Sequence, residues 1–234
     1  MLLLISVLPG LRAGNKEEIY KAYISNNMQQ WKKVMDAMQS QAVKSNEFML
    51  ELLNYQYGYV AWCIGNKKES EASDYIKKAD KYMEALEKNN YKLSLVHAYK
   101  SAFYGYKIGF SRVKAPFLGP KSLESAKLAI KLDANNPYGY LQYGNAMYYM
   151  PSFIGGSKEV GLENYLKALN LMERNQENLK NDWNYLNLLT VIAKAYSERG
   201  DKAMAKAYYQ KILKYEPDYL WVKNELYPQL LKEK

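Results

Sequence analysis

Cysteine and histidine are nearly absent from this sequence, with Cys63 and His97 the sole examples. One thiol cannot close an intrachain disulfide, and one Cys with one His cannot make the ligand set of a structural zinc site. A Ser-His-Asp relay would have to run through His97 alone, which sits in a helical pattern beside Ala98 and Tyr99. A packed or surface histidine is the simpler reading, as is a small buried apolar role for Cys63. Arginine is scarce too: it occurs only at Arg12, Arg112, Arg174 and Arg199, and the other basic residues are lysines. Guanidinium forks are the preferred readers of bases and phosphates. No basic run exceeds a pair such as Lys32-Lys33 or Lys67-Lys68, so the net charge of +9 reads as solvated helix faces and argues against a nucleic-acid surface. No stretch offers the roughly 20 consecutive apolar residues of a membrane helix.

Catalytic signatures are missing as well. Gly155-Gly156-Ser157 could open an anion-binding helix, but it lacks the Lys-Ser/Thr of a P-loop and follows no strand pattern. Adjacent carboxylates such as Glu17-Glu18 point to different sides of a helix, and no spacing favours a glycosidase pair. The expectation is a chain that is no enzyme and carries no cofactor or metal.

Tyrosine is what the sequence has in excess, with 24 against five Phe and four Trp. Tyr packs its ring and keeps a hydroxyl for a wet edge, which suits helix seams and contact surfaces. Around these tyrosines the pattern is helical throughout. Trp31, Val34, Met35 and Met38 form one stripe; Leu50, Leu53, Tyr57, Val60, Ala61 and Ile64 form the next. Helices are predicted over 17–24 (capped by Asn15), 28–38, 46–64, 69–87, 91–110, 121–132 and 137–150. Gly65-Asn66, Asn89-Asn90 and Asp133 to Pro137 are stop or turn signals. Lys114 to Pro120 and Pro151 to Ser157 are predicted to be loops, each with a Phe plugging the groove between units. Glu173 to Asn181 is a charged link, Asp182 a helix N-cap, and Asp218 to Leu226 a final capping helix that Pro228 ends or kinks.

Residues 186–219, LNLLTVIAKAYSERGDKAMAKAYYQKILKYEPDY, make the cleanest unit. A first helix carries Leu189, Ile192, Ala193 and Tyr196; Gly200-Asp201 turns; a second carries Ala205, Tyr209 and Ile212; Pro217 closes it. The order resembles the tetratricopeptide repeat of about 34 residues, with Leu in place of its Trp and Ala in place of its Gly. The Tyr-Gly pairs Tyr57-Gly58, Tyr104-Gly105 and Tyr143-Gly144 fall in the same slot of three earlier, longer units. A mid-helix Gly costs roughly 1 kcal/mol relative to Ala, so a close approach of the partner helix is expected at each. Phe117-Leu118-Gly119-Pro120, Phe153-Ile154-Gly155-Gly156 and the N-terminal IYKAYISNNMQQWKKVMDAM are similar to exported tetratricopeptide-like proteins of Bacteroidetes.

That resemblance implies an all-α, right-handed superhelical solenoid of four to five helical hairpins with a C-terminal capping helix, spanning residues 14–234. Residues 1–13 have the look of a secretory signal peptide: Met1 to Leu8 is apolar and Ala13 offers a small residue for cleavage. The alternative is an apolar segment that docks on the first repeat. A periplasmic or secreted product is expected. The resemblance further implies a protein-interaction scaffold holding a peptide or protein in a concave groove lined by first helices. Tyr55, Tyr59, Trp62, Tyr99, Tyr106, Tyr138, Leu141, Asn145, Tyr148 and Tyr149 are the candidate contacts, each of which could instead pack between hairpins. A small-ligand or glycan receptor of a transport system is the alternative.

Overall fold

The computed structural model describes residues 10–232, and the apolar run of the expected leader lies outside them. Eleven α-helices and no strand occur among the described residues. They are α1 (Gly10–Ile24), α2 (Met28–Gln39), α3 (Asn46–Gly65), α4 (Glu69–Lys88), α5 (Leu93–Phe110), α6 (Ala115–Leu132), α7 (Pro137–Tyr149), α8 (Lys158–Glu173), α9 (Trp183–Glu198), α10 (Lys202–Tyr215) and α11 (Tyr227–Lys232). Successive helices pair as antiparallel hairpins, α1–α2 through α9–α10, and neighbouring hairpins stack. The result is an all-α, solenoid-like array of five hairpins.

Local chemistry sets most boundaries. Asn27, Ser45, Asn136, Ser157, Asp182 and Asp201 each accept a hydrogen bond from a backbone N–H of the helix that follows. Such caps satisfy donors that have no partner within the helix. Two expectations need correction, and two gain detail. Asn15 does not cap the first helix, because α1 already runs from Gly10. The stretch from Ala115 to Pro120 is no loop but the first turns of α6: Pro116 occupies an early position, where no N–H is needed, and Pro120 is carried inside the helix. The charged link contains a short 3-10 turn, Gln176–Leu179, anchored by the buried side chain of Leu179. Near the C-terminus a π-helical turn, Val222–Leu226, leads into α11, so the helix continues through Pro228. A widened turn before a proline fits a residue that cannot donate its own N–H.

The stack curls until its ends meet. The α1–α9 contact joins the first hairpin to the fifth. Tyr20 donates to Glu216 at 2.8 Å across that junction. Trp183, the first residue of α9, fills the centre. Its ring lies 5.1 Å from Trp31, 5.6 Å from Tyr23 and 5.9 Å from Tyr57. Its Nε1 donates to Asn54 at 2.9 Å. Gly58 is the surface it rests on: a Cβ there would stand 2.7 Å from the Trp183 ring and 2.8 Å from Trp31. The close approach at this Tyr-Gly pair is therefore to α2 and α9, not to the partner helix α4. At Gly144 the expectation of partner-helix contact fits, since a Cβ would lie 2.7 Å from Tyr165 and 2.9 Å from the Gly161 carbonyl on α8. Gly105 faces open space.

Candidate functional site

Closure by α9 changes what the expected groove can offer. Tyr55, Tyr59, Tyr99, Leu141 and Tyr148 are buried, which corrects the reading of these five as contact residues. Each has a structural partner instead. Tyr55 donates to Glu51 and meets Trp31 edge-on. Tyr59 points the other way, against α4, donating to Glu71 at 3.0 Å and packing on Tyr75. Half-buried Trp62 joins it there, with the Lys68 ammonium 4.6 Å above its ring. Tyr99 accepts from Asn54 Nδ2 at 2.6 Å. Tyr148 donates to Glu198 at 2.8 Å, on the same carboxylate that Lys158 reaches at 2.9 Å.

Four of the ten candidates stay on an accessible inner face: Tyr106, Tyr138, Asn145 and Tyr149. Tyr106 lies on Tyr57, with ring centroids 5.6 Å apart and planes 18° from parallel, and donates to the Tyr57 carbonyl. Asn145 accepts from Tyr165 and donates to Gln142. Tyr149 ends α7 and keeps 75% of its surface accessible. Even so, burial raises its pKa, followed by the charge of Glu198 and the neighbouring Tyr57. Its ring meets that of Tyr148 edge-on, with centroids 5.3 Å apart.

On α5 two exposed glycines leave a stretch of surface without side chains. Gly105 and Gly109, one turn apart, are both exposed; a Cβ at Gly105 meets nothing within 4 Å, and one at Gly109 meets only Ile64. Helices α5 and α7 are neighbours and run parallel, as the first helices of successive hairpins. The glycine face and the exposed Tyr149 ring thus lie on the first helices of the third and fourth hairpins. Sequence reasoning missed the exposed glycine face because the Tyr-Gly repeat was assigned to packing.

The same end of the stack carries a second feature. The expected plugs, Phe117 and Phe153, are 73% and 86% exposed, and Val113 and Ile154 beside them are 83% and 59% exposed. They do not fill the groove between units; that space is taken by the inner tyrosines.

Deeper inside, Asp182 is held at the N-terminus of α9. Burial raises its pKa, against the opposing hydrogen bonds from Asn184. His97 is held below its ordinary pKa by burial and by Lys100, with Glu87 3.8 Å away, so it is neutral at pH 7. Burial pushes the Cys63 thiol up to about 12. No grouping of three or more potential metal ligands occurs among the described residues. No helix among them is long and apolar enough to cross a membrane.

No family's sequence profile matches the chain, and no curated protein matches it. Among solved structures, the HusA haemophore from Porphyromonas gingivalis shares the fold with a TM-score of 0.66 at 13% identity, over 82% of this chain and 94% of that one. The likeness establishes the all-helical architecture that both chains share.

Proposed function

We propose that this chain is an exported, non-catalytic binding protein of tetratricopeptide-like build. It takes a planar, largely apolar ligand of the porphyrin class into the slot between Tyr149 and the glycine face of α5. The observation that carries the reading is an exposed aromatic ring on one hairpin together with a helix face kept free of side chains on the hairpin before it. A flat ligand stacks on the first and approaches the backbone of the second, and such faces are otherwise disfavoured in water. The fold shared with a protein named as a haemophore supports a ligand of this kind.

Haemin titration followed at its Soret band tests the proposal. One-to-one binding is expected, with affinity reduced at least tenfold in Tyr149→Ala and in Gly105→Leu, whose side chain enters open space and leaves the fold intact. Absence of a stoichiometric spectral change, or equal binding by both variants, would refute it.

A protein partner is the second reading, favoured by the spread of exposed apolar side chains over two successive hairpins. Chemical cross-linking in the cell envelope, repeated with Phe153→Ser, distinguishes it: a specific adduct lost in the variant would support a protein ligand.

A further inference from the structure

Five connections, from the first to the second helix of each hairpin, leave the same end of the stack. Among the described residues, those after α5 and α7 raise the most exposed apolar side chains from that end, the connection after α9 adding only the less exposed Met204. Val113 sits in a 3-10 turn, Arg112–Lys114, and Phe117 in the first turn of α6; Phe153 and Ile154 sit in the 3-10 turn Ser152–Ile154. These are protruding tips rather than the walls of a cleft, as their exposures of 83%, 73%, 86% and 59% record.

Part of the backbone at the tips is paired internally. Lys114 N–H donates to Ser111, Ile154 and Gly156 N–H donate to Pro151, and Gly155 N–H donates to Ser152. Main chain whose donors are paired internally can leave water without the penalty of open N–H groups. Exposed cations bracket the apolar residues: Arg112 and Lys114 flank Val113, in a chain of net charge +9. The acids nearest in sequence are Glu124 on α6 and Glu159 and Glu163 on α8; Glu198 of α9 is paired with Lys158 at 2.9 Å.

We propose that this end of the solenoid docks reversibly on an anionic lipid surface, Val113, Phe117, Phe153 and Ile154 entering the interface and Arg112 and Lys114 meeting the headgroups. A protein partner would need pockets shaped to four separate tips. A fluid interface accepts them as they stand, and the flanking cations match its charge. The inference rests on the tips and not on the ligand slot, so either can fail without the other.

Flotation of the full chain with vesicles tests it, comparing phosphatidylcholine alone with a mixture containing phosphatidylglycerol. Flotation is expected with the anionic vesicles, at least tenfold weaker with neutral ones and at least tenfold weaker for Phe117→Ser/Phe153→Ser, whose exposed positions leave the helical circular dichroism unchanged. Arg112→Gln/Lys114→Gln should lose most of the preference for anionic vesicles. No flotation, or equal flotation by the serine variant, would overturn the proposal, the latter by showing that net charge alone suffices. Self-association by light scattering that the serine variant abolishes, without flotation, would assign the tips to a second copy and likewise overturn it.

Discussion

Replacing the glycine of each Tyr-Gly pair by alanine should give different signs at what looks like one repeated position. Every substitution gains up to about 1 kcal/mol of helix propensity. At Gly105 nothing opposes that gain, because the new methyl meets no atom within 4 Å. Stability should rise by about 0.5–1 kcal/mol, or about 2 °C in Tm for a chain of this size. At Gly144 the methyl would stand 2.7 Å from the fully buried Tyr165 ring and 2.9 Å from the Gly161 carbonyl. Neither is the free end of a flexible side chain, so α7 and α8 must separate. Overpacking of this kind costs about 1–3 kcal/mol, and the upper part of that range applies, leaving a net loss of about 2 kcal/mol. At Gly58 the obstacles are two indole rings at 2.7 and 2.8 Å, for a net loss of about 1–2 kcal/mol on the same scale. Urea unfolding followed by circular dichroism measures all three. Equal effects at Gly58, Gly105 and Gly144, or a loss at Gly105, would refute the assignment of distinct neighbours. If the slot binds a planar ligand, Gly105→Ala should also weaken binding while it stabilises the fold.

Trp183→Ala should cost about 4 kcal/mol, within the range for removing a buried Trp, because the ring joins α1, α2 and α3 at once; a loss below about 1 kcal/mol in the same urea assay would contradict closure of the stack. Asp182→Asn should leave stability at pH 7 equal or higher, since Asn caps as well as Asp and carries no charge to bury. Asp182→Ala should lose about 1 kcal/mol with the cap. Melting curves of the two variants decide this. For Glu198, burial by itself would raise the pKa, but the hydrogen bonds from Lys158 and Tyr148 outweigh it and hold the group below its ordinary 4.5. A carboxylate with a depressed folded pKa contributes stability above its unfolded pKa and loses it as pH falls through the folded one. Melting of wild type should therefore fall more steeply than that of Glu198→Gln between pH 5 and pH 3, and parallel curves would contradict the pairing.

Helix patterns were legible wherever a cap or a stripe was local. Asp182 announced its helix as an N-cap, the chain turns at Gly200-Asp201 before α10, and the stripe of Trp31, Val34, Met35 and Met38 is buried as its spacing predicts. The stretch from Lys114 to Pro120 misled because proline and glycine mark loops in general, yet Pro116 and Pro120 sit in and just after the opening turn of α6, the first where its missing N–H has no role. The candidate site was legible only in part. The resemblance put the candidate contacts on the first helices, where Tyr106, Tyr138 and Asn145 are half-buried and Tyr149 is exposed. Nothing in spacing separates them from Tyr55, Tyr99 and Leu141.

What the sequence determined by itself was the material: helices of set length and hand, hairpins in series, and a stock of tyrosines able to pack or to bind. Those follow from short-range periodicity and capping, which each segment carries within itself. Which tyrosines would be covered was settled only in three dimensions. It depends on the curvature of the stack, and that curvature ends where Trp183 of the fifth hairpin meets Gly58 of the second and Trp31 of the first. Contacts across more than a hundred residues leave no periodic trace. They turn a groove of inner tyrosines into a core and leave Tyr149 exposed at the end of α7.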